Sequence, residues 1–549
     1  MNYIWKISQG KVNSLTEILR AIAESKNMSI SDIKNFINND VLPHDPFLLT
    51  NMKEAVERIR EAIKNNEKIL VLGDYDVDGQ AATSILYIGL SSIYSNVFWK
   101  VPHRVKDGYG ISKNLIDEAY KDNVNLIITV DNGVVAHEQI KYANSLGIDV
   151  IVSDHHQLNS LGVPTSITVN PHIDNNYPFK NICGSTVAFK LVSALIPNLS
   201  SDERLNNELI TMVALATVAD VMPLIDENRF YVKKGLELLN NCENLGLNIL
   251  IEKLKLKNIT STDIGYKIAP CLNAAGRLES ADLAVELLLT EDIKEANKIT
   301  DKIIELNIMR QELQKKIMEN IEINNDDNFI ILKIDNVQHG LIGILAGDIK
   351  EKYNKPCFVV SQKGEFLSGS GRSIDGYDIF SVIQNNKNIV SGGGHMAACG
   401  ISLKEENFLE FKKRCNEDFN NWIKINCKDN KMEPTKYAVC ESPLKLINIK
   451  LINNLDKLKP YGHSNYEPIL ATLNVNISEY KIVGKNLDTV QFTFEQDGIK
   501  IKSVGFKNIL KKFTELNFPN KVDIMYAINL NEWNGITSAQ LIIKDLKIN

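Results

Sequence analysis

The sequence lacks the features that mark membrane-spanning, secreted and disulfide-rich proteins. In 549 residues, no apolar run approaches the roughly 20 residues that a helix needs to span a bilayer. The first residues, MNYIWKISQGKVNSL, do not follow the basic-then-apolar layout of a signal peptide. The 8 cysteines are scattered without a CxxC pair, which argues against a disulfide framework. We therefore expect a cytoplasmic protein that does not bind membranes.

A strong basic excess is also absent, so the overall charge does not point to nucleic acid. The formal net charge is −6, although residues 432–549 contain 15 lysines against 12 acidic residues. This uneven charge could reflect acids gathered around metal ions and a mildly basic module for a polyanion. It could equally reflect drift in an Asn- and Lys-rich composition, and charge alone does not decide.

The chain is too long for one hydrophobic core, so we expect several domains. Residues 1–65 have apolar positions at helical spacing and are predicted to form a helical N-terminal region. In residues 66–290, strands alternate with helices, which is typical of a parallel sheet covered on both faces. Ligands of such sheets bind beyond the carboxyl ends of the strands. The predicted strands are 68–73, 97–103, 125–131, 149–156 and 166–171.

Three segments complete the predicted α/β architecture. Residues 291–325 contain a long amphipathic stretch with apolar positions near heptad spacing, which predicts a connector helix. Residues 326–430 alternate between strand and helix patterns again and form a second α/β domain. Residues 431–549 contain short strand patterns at regular spacing, which is typical of a small β-barrel such as an OB-fold.

Acidic and histidine side chains follow the strands of the first predicted sheet. Three carboxylates crowd the end of its first strand, in ILVLGDYDVDG, and another ends the third strand, in TVDNG. The fourth strand ends in SDHH, and an apolar helix ends in an aspartate within VADVMPL. Because the carboxyl ends of parallel strands meet at one edge, we expect these side chains to lie together. They are Asp74, Asp76, Asp78, Asp131, Asp154, His155, His156 and Asp220.

Carboxylates gathered so closely need positive charge between them. Oxygen ligands with one or two imidazoles suit Mn²⁺, Mg²⁺ or Zn²⁺, and the lack of thiolates argues against iron–sulfur and structural zinc. A surplus of carboxylates suggests two ions about 3.5–4 Å apart that share a bridging aspartate and clamp a phosphodiester. Each motif alone has an ordinary explanation, since an aspartate at a strand end often caps the next helix. Their common edge favours the metal site.

Two glycine-rich segments lie in the second α/β domain. They are LSGSGRS at 367–373 and SGGGHMAACG at 391–400. Backbone N–H groups in glycine-rich turns form anion-binding nests, to which Ser370, Arg372, Ser373 and His395 would add donors. The alternative is that the glycines only make turns.

Further cations lie in glycine-containing segments near predicted strand or helix ends. Arg104 lies in PHRVKDGYG and Arg277 in NAAGRL, and each is either a phosphate ligand or a surface cation. His339, in QHGLIGILAG, precedes an apolar helix and could simply be its cap.

Taken together, these motifs resemble the DHH phosphoesterase superfamily, whose namesake triplet corresponds to Asp154-His155-His156. GDYDVDG, VDNG, SDHH and ADVMPL resemble its first four motifs, and GSGRS and GGGHMAACG resemble its DHHA1 domain. Within the superfamily, the sequence is most similar to the RecJ family of single-strand-specific 5′→3′ DNA exonucleases, from about residue 66 onward. On this resemblance, 66–290 is a DHH catalytic domain, 326–430 a DHHA1-like phosphate- and nucleic-acid-binding domain, and 431–549 an OB-fold-like domain. The extra C-terminal domain of longer relatives is expected to be absent.

The resemblance also implies residue roles. It implies two Mn²⁺ (or Mg²⁺) ions with Asp131 as their bridge, and Asp74 either as a ligand or as a residue that orients Asp76. His156 would contact the scissile phosphate while Asp154 orients the histidine pair, so the catalytic residues are His156, Asp131 and Asp154. The implied metal ligands are Asp74, Asp76, Asp78, Asp131, His155 and Asp220. The implied phosphate- or DNA-binding residues are Arg104, Arg277, Ser370, Arg372, Ser373 and His395.

The expected function is metal-dependent hydrolysis of single-stranded DNA from the 5′ end, releasing 5′-mononucleotides in DNA repair and recombination. A single-strand-binding protein and a RecQ-type helicase are partners implied by the resemblance alone. One alternative is a hydrolase of short oligoribonucleotides or cyclic dinucleotides, but such small substrates need no strand-guiding barrel. A second is a non-catalytic scaffold relative, but such relatives lose metal ligands and every expected ligand is present here.

Two smaller expectations follow from the same comparison. Tyr480, Phe492, Phe494 and Trp533 are candidates for stacking on DNA bases, although for most of them a place in the barrel core is the better interpretation. In ICGSTVAFK, Ser185 and Thr186 replace the family's usual second glycine, which we expect to be a minor change in packing.

Overall fold

The structure is a computed structural model that describes residues 3–38, 41–104, 106–324, 327–427, 434–484, 486–533 and 536–548, without the side chains of 532, 533 and 536. The chain divides into two compact units. The larger unit comprises Pro43–Met222 and Phe230–Met432. The smaller unit comprises Met1–Leu42, Pro223–Arg229 and Glu433–Asn549. The predicted boundaries at 325/326 and 430/431 lie outside the described residues.

The strands, in chain order, are β1 (Ile4–Lys11), β2 (Ile69–Leu72), β3 (Val97–Lys100), β4 (Leu126–Val130), β5 (Asp149–Ser153), β6 (Ile167–Val169), β7 (Ile330–Lys333), β8 (Cys357–Lys363), β9 (Phe366–Arg372), β10 (Val390–His395), β11 (Ala398–Lys404), β12 (Thr435–Glu441), β13 (Leu470–Val483), β14 (Thr489–Gln496), β15 (Ile499–Gly505), β16 (Lys521–Trp533) and β17 (Ile536–Lys547).

The helices are α1 (Leu15–Ser25), α2 (Ile30–Asn38), α3 (Met52–Lys64), α4 (Val77–Ser91), α5 (Lys113–Lys121), α6 (His137–Ser145), α7 (Gly184–Leu195), α8 (Glu203–Ala219), α9 (Asp226–Leu239), α10 (Leu245–Lys253), α11 (Ser261–Asp263), α12 (Ala269–Leu278), α13 (Asp282–Leu289), α14 (Ile293–Asn320), α15 (His339–Tyr353), α16 (Ile379–Asn385), α17 (Phe408–Asn426), α18 (Ile449–Asp456) and α19 (Lys507–Glu515). A π-helical segment, Ile264–Ile268, joins α11 to α12.

The first sheet of the larger unit is parallel throughout, with the spatial order β3-β2-β4-β5-β6. Its central strands are apolar and buried on both faces, as helices on both sides of a parallel sheet require. Because β3 and β4 flank β2 on opposite sides, the strand order reverses between β2 and β4. After β2 the chain continues to one side of the sheet, and after β4 it continues to the other side. A crevice therefore opens between the carboxyl ends of β2 and β4, where ligands bind in folds of this class.

The second sheet of the larger unit is mixed, with the order β10-β11-β9-β8-β7. Only β7 and β8 pair in parallel, and the other pairs are antiparallel. The connector α14 is buried over its first half, from Ala296 to Asn307, and its later residues Leu313 and Ile317 pack on the core beneath α15. The predicted long helix therefore joins the two α/β regions, as its two apolar stretches indicate.

The smaller unit contains a barrel. Strands β13, β14, β15, β17 and β16 follow one another, and β13 also pairs with β16, which closes the ring. Phe492 and Phe494 on β14 are fully buried in its core. The predicted strand-rich, OB-fold-like tail is confirmed.

Two local predictions differ from the structure. Residues Ile4–Lys11, expected to be helical, form β1, which pairs in parallel with β12 some 430 residues later. The glycine-rich segments are strands and not turns, because β9 pairs on both sides and β10 and β11 form a hairpin ladder. Close packing explains the two glycines of β9, since a Cβ on Gly369 would lie 2.0 Å from Val359 O and one on Gly371 2.5 Å from the Phe358 ring. No described helix is long and apolar enough to cross a membrane.

Candidate active site

The end of β2 places three carboxylates by local helix chemistry. Asp76 caps α4 and accepts hydrogen bonds from the N–H groups of Asp78 (3.0 Å) and Gly79 (3.2 Å). Asp74 is buried and accepts one long bond, from Gly110 N at 3.3 Å. Asp78 is held across the chain, because its carboxylate accepts from Gly184 N (2.7 Å) and Ser185 N (2.8 Å) at the start of α7. The DxDxD run is therefore fixed at each step by backbone donors.

Asp131 follows β4 in the left-handed region, with φ of 62°. This conformation is uncommon for a residue with a side chain, although Asp and Asn tolerate it best. The bond from Asp131 N to Ser153 O (2.9 Å) continues the β4–β5 ladder and holds the turn. Gly184 packs directly on it, since a Cβ there would lie 2.5 Å from the Asp131 Cβ. The carboxylate is thus fixed in a strained, tightly packed turn at the switch point.

The DHH triplet follows β5 and has two different environments. Asp154 is buried and accepts from Val134 N, His155 N, His156 N and His156 Nδ1, at 2.7 to 3.1 Å. His155 Nε2 lies 3.1 Å from Asp131 Oδ1, and 3.7 Å from both Asp78 Oδ2 and Asp220 Oδ2. Its side chain is 10 % exposed, whereas that of His156 is 45 % exposed. His155 thus lies among the carboxylates and His156 at the open side.

The grouped ligand atoms fit divalent cations. Three sets each have their nitrogen or oxygen atoms within 4.8 Å of one another, and Asp131 belongs to two of them. One oxygen on each of Asp74, Asp131 and Asp220 is buried without a hydrogen-bond donor, an arrangement that is costly unless a cation accepts these lone pairs. The sets are Asp131–His155–His156, Asp78–His155–Asp220 and Asp74–Asp76–Asp131. The donor set, oxygens with imidazole nitrogens, is that of Mn²⁺ or Mg²⁺ sites.

The electrostatics of the cluster agree with this fit. Burial and the neighbouring carboxylates raise the pKa values of Asp74, Asp131 and Asp220 well above their ordinary range. Burial would also raise the pKa of Asp154, but its hydrogen bond with His156 and the charges of both histidines lower it. Burial alone would lower the pKa of His156, whereas Asp154 and the other carboxylates raise it to about 9. Without cations, the carboxylates repel one another strongly.

A cationic cavity of about 370 Å³ adjoins the carboxylates. Its described lining contains no acidic residue and includes the following side chains: Arg104, Arg277, His339, Lys363, Ser368, Ser370 and Arg372. The last three alternate along β9 and therefore share one face of the sheet. Tyr75 joins the cavity to the carboxylate cluster, because it lies between Asp74 and Asp76 and the Arg104 guanidinium packs over its ring, 4.5 Å from the ring centroid.

The cavity cations are held by carbonyl and hydroxyl groups, which leave their positive charge uncompensated. Arg277 Nη1 donates to Gly340 O (2.9 Å), and Arg372 Nη1 donates to Ser370 Oγ and Gly371 O (both 2.8 Å). Burial, together with the charge of Arg104, lowers the pKa of Arg277 to about 10. The start of α15 also lines the cavity, and its N–H groups favour an anion. A phosphate group matches this arrangement in charge and geometry.

Two of the predicted phosphate ligands are not among the cavity lining. Ser373 lies just beyond β9, and its hydroxyl donates to Tyr377 O at 2.6 Å. His395 ends β10 and is exposed. The alternation of β9 explains the first case, since odd-numbered positions leave the face that carries Ser370 and Arg372. Both roles stay predictions from the resemblance.

Sequence reasoning missed two residues of the site and gave two others only a minor role. Tyr109 contacts His156 and Asp131, and Lys363 lines the cavity. Ser185, taken for a packing change, donates its hydroxyl to Asp78 O (2.9 Å) and its N–H to the carboxylate. His339 is the first residue of α15 and not its cap, and its Nε2 lies 3.2 Å from Gln362 O. Local sequence carried little signal, because each residue acts through contacts with distant segments.

The fold and the site define a metal-dependent phosphoesterase of the DHH superfamily. Residues 68–217 match the N-terminal domain of the DHH family, 326–421 the DHHA1 domain and 440–545 the RecJ OB domain. The chain belongs to the RecJ family, as the following relatives show. The single-stranded-DNA-specific exonuclease RecJ of Bacillus subtilis (strain 168) is 32 % identical over 99 % of this chain and 71 % of its own length. The RecJ of Escherichia coli (strain K12) is 30 % identical over 91 % of this chain and 90 % of its own.

Solved structures agree with this assignment. The crystal structure of RecJ from Thermus thermophilus in complex with Mn²⁺ is similar over 100 % of this chain and 80 % of that one, with a TM-score of 0.81 and 25 % identity. A second structure, of exonuclease RecJ bound to manganese, is 31 % identical over 69 % of this chain and 95 % of its own, with a TM-score of 0.59. The predicted fold class and family are confirmed.

Proposed function

We propose that this protein is a single-strand-specific exodeoxyribonuclease that removes 5′-mononucleotides from the 5′ end of DNA, in repair and recombination. One observation carries the proposal: the larger unit joins a carboxylate–imidazole centre suited to divalent cations to a cationic cavity of phosphate size, with Tyr75 between them. An exonuclease that cleaves at a fixed distance from the strand end needs two such sites, one for the terminal group and one for the scissile bond.

The cavity supports the 5′ polarity. A strand whose 5′-phosphate lies against Arg104, Arg277 and Arg372 would present its first phosphodiester to the adjoining carboxylate centre. Cleavage of the bond between phosphorus and the 3′ oxygen of the first nucleotide releases a 5′-mononucleotide. It also leaves a new 5′-phosphate on the shortened strand, which can then enter the same cavity.

The chain's own residues divide the remaining work. Asp74, Asp76, Asp78, Asp131, His155 and Asp220 would hold two Mn²⁺ or Mg²⁺ ions. When bound, these ions supply a nucleophilic hydroxide and charge neutralisation of the phosphodiester. Asp154 holds His156 at the open side of the centre by a 2.8 Å bond to Nδ1. His156 would then donate a hydrogen bond from Nε2 to the scissile phosphate or its leaving 3′ oxygen.

The barrel would bind the single strand through its backbone and by base stacking. Tyr480 is 49 % exposed and its ring stacks on Phe518 with an interplanar angle of 15°, so it offers an aromatic face to solvent. Phe492 and Phe494 belong to the barrel core, which leaves them no free face. The Trp533 side chain lies outside the described residues. Stacking on an aromatic face is tolerant of sequence, as an exonuclease requires.

Protein partners and location come from the resemblance alone. A single-strand-binding protein would deliver coated single strands, and a RecQ-type helicase would unwind duplex ends into single strands. Both would act with this protein in the cytoplasm.

The direct test is digestion of one single strand that is labelled separately at each end, with and without Mn²⁺. We expect the 5′ label to leave first as a mononucleotide, only with metal, and a blunt duplex of the same sequence to resist. Early release of the 3′ label, internal cuts, or cleavage without metal would contradict the proposal. A dinucleotide cleaved faster than the long strand would favour the small-substrate alternative.

A further inference from the structure

Tyr109 lies in the loop between β3 and α5 and links the two sites. Its ring meets the His156 ring edge-on, with centroids 5.7 Å apart and an interplanar angle of 79°. On the other side it meets Tyr75 edge-on at 6.2 Å, and Tyr75 carries Arg104. The next residue, Gly110, donates its N–H to Asp74. A single loop therefore contacts the cavity, the carboxylates and the imidazole at the open side.

The Tyr109 hydroxyl has a defined position. It donates to Asp131 O at 3.0 Å, so the turn that carries the shared carboxylate anchors it. It also lies 3.3 Å from both ring nitrogens of His156. An oxygen in the imidazole plane at equal distance from both nitrogens would overlap Cε1. The hydroxyl must therefore lie over the face of the ring.

His156 is consequently held by Asp154, by Tyr109 and by the His155 ring, whose centroid lies 4.4 Å from that of His156. Asp154 Oδ1 accepts from Nδ1 at 2.8 Å and fixes one edge of the ring, which still allows the ring some rotation about its Cβ–Cγ bond. Tyr109 packs on the face and blocks this rotation. Among the described residues, Nε2 lies within hydrogen-bonding distance of the Tyr109 hydroxyl alone, and the His156 side chain is 45 % exposed. Edge and face contacts together determine where the Nε2–H group points.

We propose that Tyr109 is the positioning residue for His156: it holds the imidazole so that Nε2 meets the scissile phosphodiester of the strand whose 5′ end occupies the cavity. This inference rests on the proposed exonuclease function. It assigns Tyr109 no contact with metal and no proton transfer. The bond to Asp131 O anchors the hydroxyl, and its effect on cleavage passes through His156, so it concerns kcat rather than strand binding.

The test is a double-mutant cycle with Tyr109→Phe and His156→Ala, measured as steady-state cleavage of a 5′-phosphorylated strand in Mn²⁺. Losing one contact of a neutral hydroxyl predicts a loss of about three- to tenfold in kcat for Tyr109→Phe, with KM unchanged. In the His156→Ala background, Tyr109→Phe should cause no further loss. The loss should be equal on strands with a 5′-phosphate and a 5′-hydroxyl, since Tyr109 does not bind the end.

The matched control is Tyr142→Phe in the same unit, whose hydroxyl donates to Asp117 Oδ1 at 2.6 Å, away from both sites. It should cleave at the parental rate. Multiplicative losses in the double variant, or a Tyr109→Phe protein with parental kcat, would overturn the proposal.

A spectroscopic measurement keeps the two hypotheses separate. In ¹⁵N-histidine-labelled, Mg²⁺-loaded protein, Tyr109→Phe should shift or broaden the side-chain resonances of His156, whether or not the protein cleaves DNA. Unchanged His156 resonances would overturn the role of Tyr109. An inactive parental protein with shifted resonances would refute the exonuclease proposal while supporting the positioning of His156.

Discussion

Replacing Asp131 by Asn is the sharpest perturbation of the centre. Asp131 is shared by two of the ligand groups, and its Oδ1 is buried without a donor. Its φ of 62° suits Asn as well as Asp, so the turn should survive the substitution, whereas Ala would add strain. Asp131→Asn therefore removes one charge and one oxygen ligand and leaves the packing against Gly184 intact.

The expected loss can be estimated from metal binding and catalysis. A bridging ligand stabilises charge in the transition state by several kcal/mol, and about 4 kcal/mol corresponds to about 10³-fold in kcat. An ion present at 100 times its Kd stabilises the parental fold by about 2.7 kcal/mol. If the substitution weakens that ion about 100-fold, the gain falls to about 0.4 kcal/mol. The melting temperature of Asp131→Asn should then rise far less on addition of Mn²⁺.

The assays are single-strand digestion and thermal melting, each with and without Mn²⁺. Asp122→Asn is the matched control, because Asp122 is an exposed residue just after α5 in the same unit, and it should behave like the parental protein. The reasoning fails if Asp131→Asn digests DNA at the parental rate. It fails equally if Mn²⁺ stabilises both variants by the same amount.

Three further predictions test other parts of the structure. Arg372→Ala should lower kcat/KM about 10- to 100-fold on 5′-phosphorylated strands and far less on 5′-hydroxyl strands, because a charge-assisted bond to the 5′-phosphate is lost. Equal losses on both strands would refute the binding of the 5′-phosphate by Arg372. Gly184→Ala should lower both the melting temperature and kcat, since the added Cβ would lie 2.5 Å from the Asp131 Cβ. A variant with the parental melting temperature and kcat would refute the tight packing. Trp5→Phe should destabilise the smaller unit by about 1.5 kcal/mol, because it removes the 2.8 Å hydrogen bond from Nε1 to Asp545 Oδ2. Hydrogen exchange of the amides of β17 measures this loss, and unchanged protection would contradict a stabilising role of the bond.

Much of the site was predictable because it depends on local patterns. The short apolar segment before Asp74 indicates a buried strand, and Asp76 lies where a helix cap is expected, as the structure has both. The carboxyl ends of parallel strands meet at one edge, so residues far apart in sequence, such as Asp131 and His155, were expected together. The geometry places them 3.1 Å apart.

The glycine-rich segments show where local reasoning failed. Glycines permit turns, but they also permit close packing, and sequence alone does not distinguish the two uses. Gly369 and Gly371 lie within a strand that is paired on both sides. The cationic cavity consequently depends on side chains along β9 and on the start of α15, not on a nest of free N–H groups.

The sequence by itself determined the sheet, the connector, the barrel and the gathering of carboxylates and histidines at the strand ends, because apolar periodicity and strand-end chemistry act over a few residues. Only the tertiary structure decided that β1 pairs with β12 and that the N–H groups of Gly184 and Ser185 donate to the Asp78 carboxylate. It also decided that Tyr109 packs on the face of the His156 ring. These contacts join segments tens to hundreds of residues apart. Their energies depend on how whole elements pack, which no short stretch of sequence encodes.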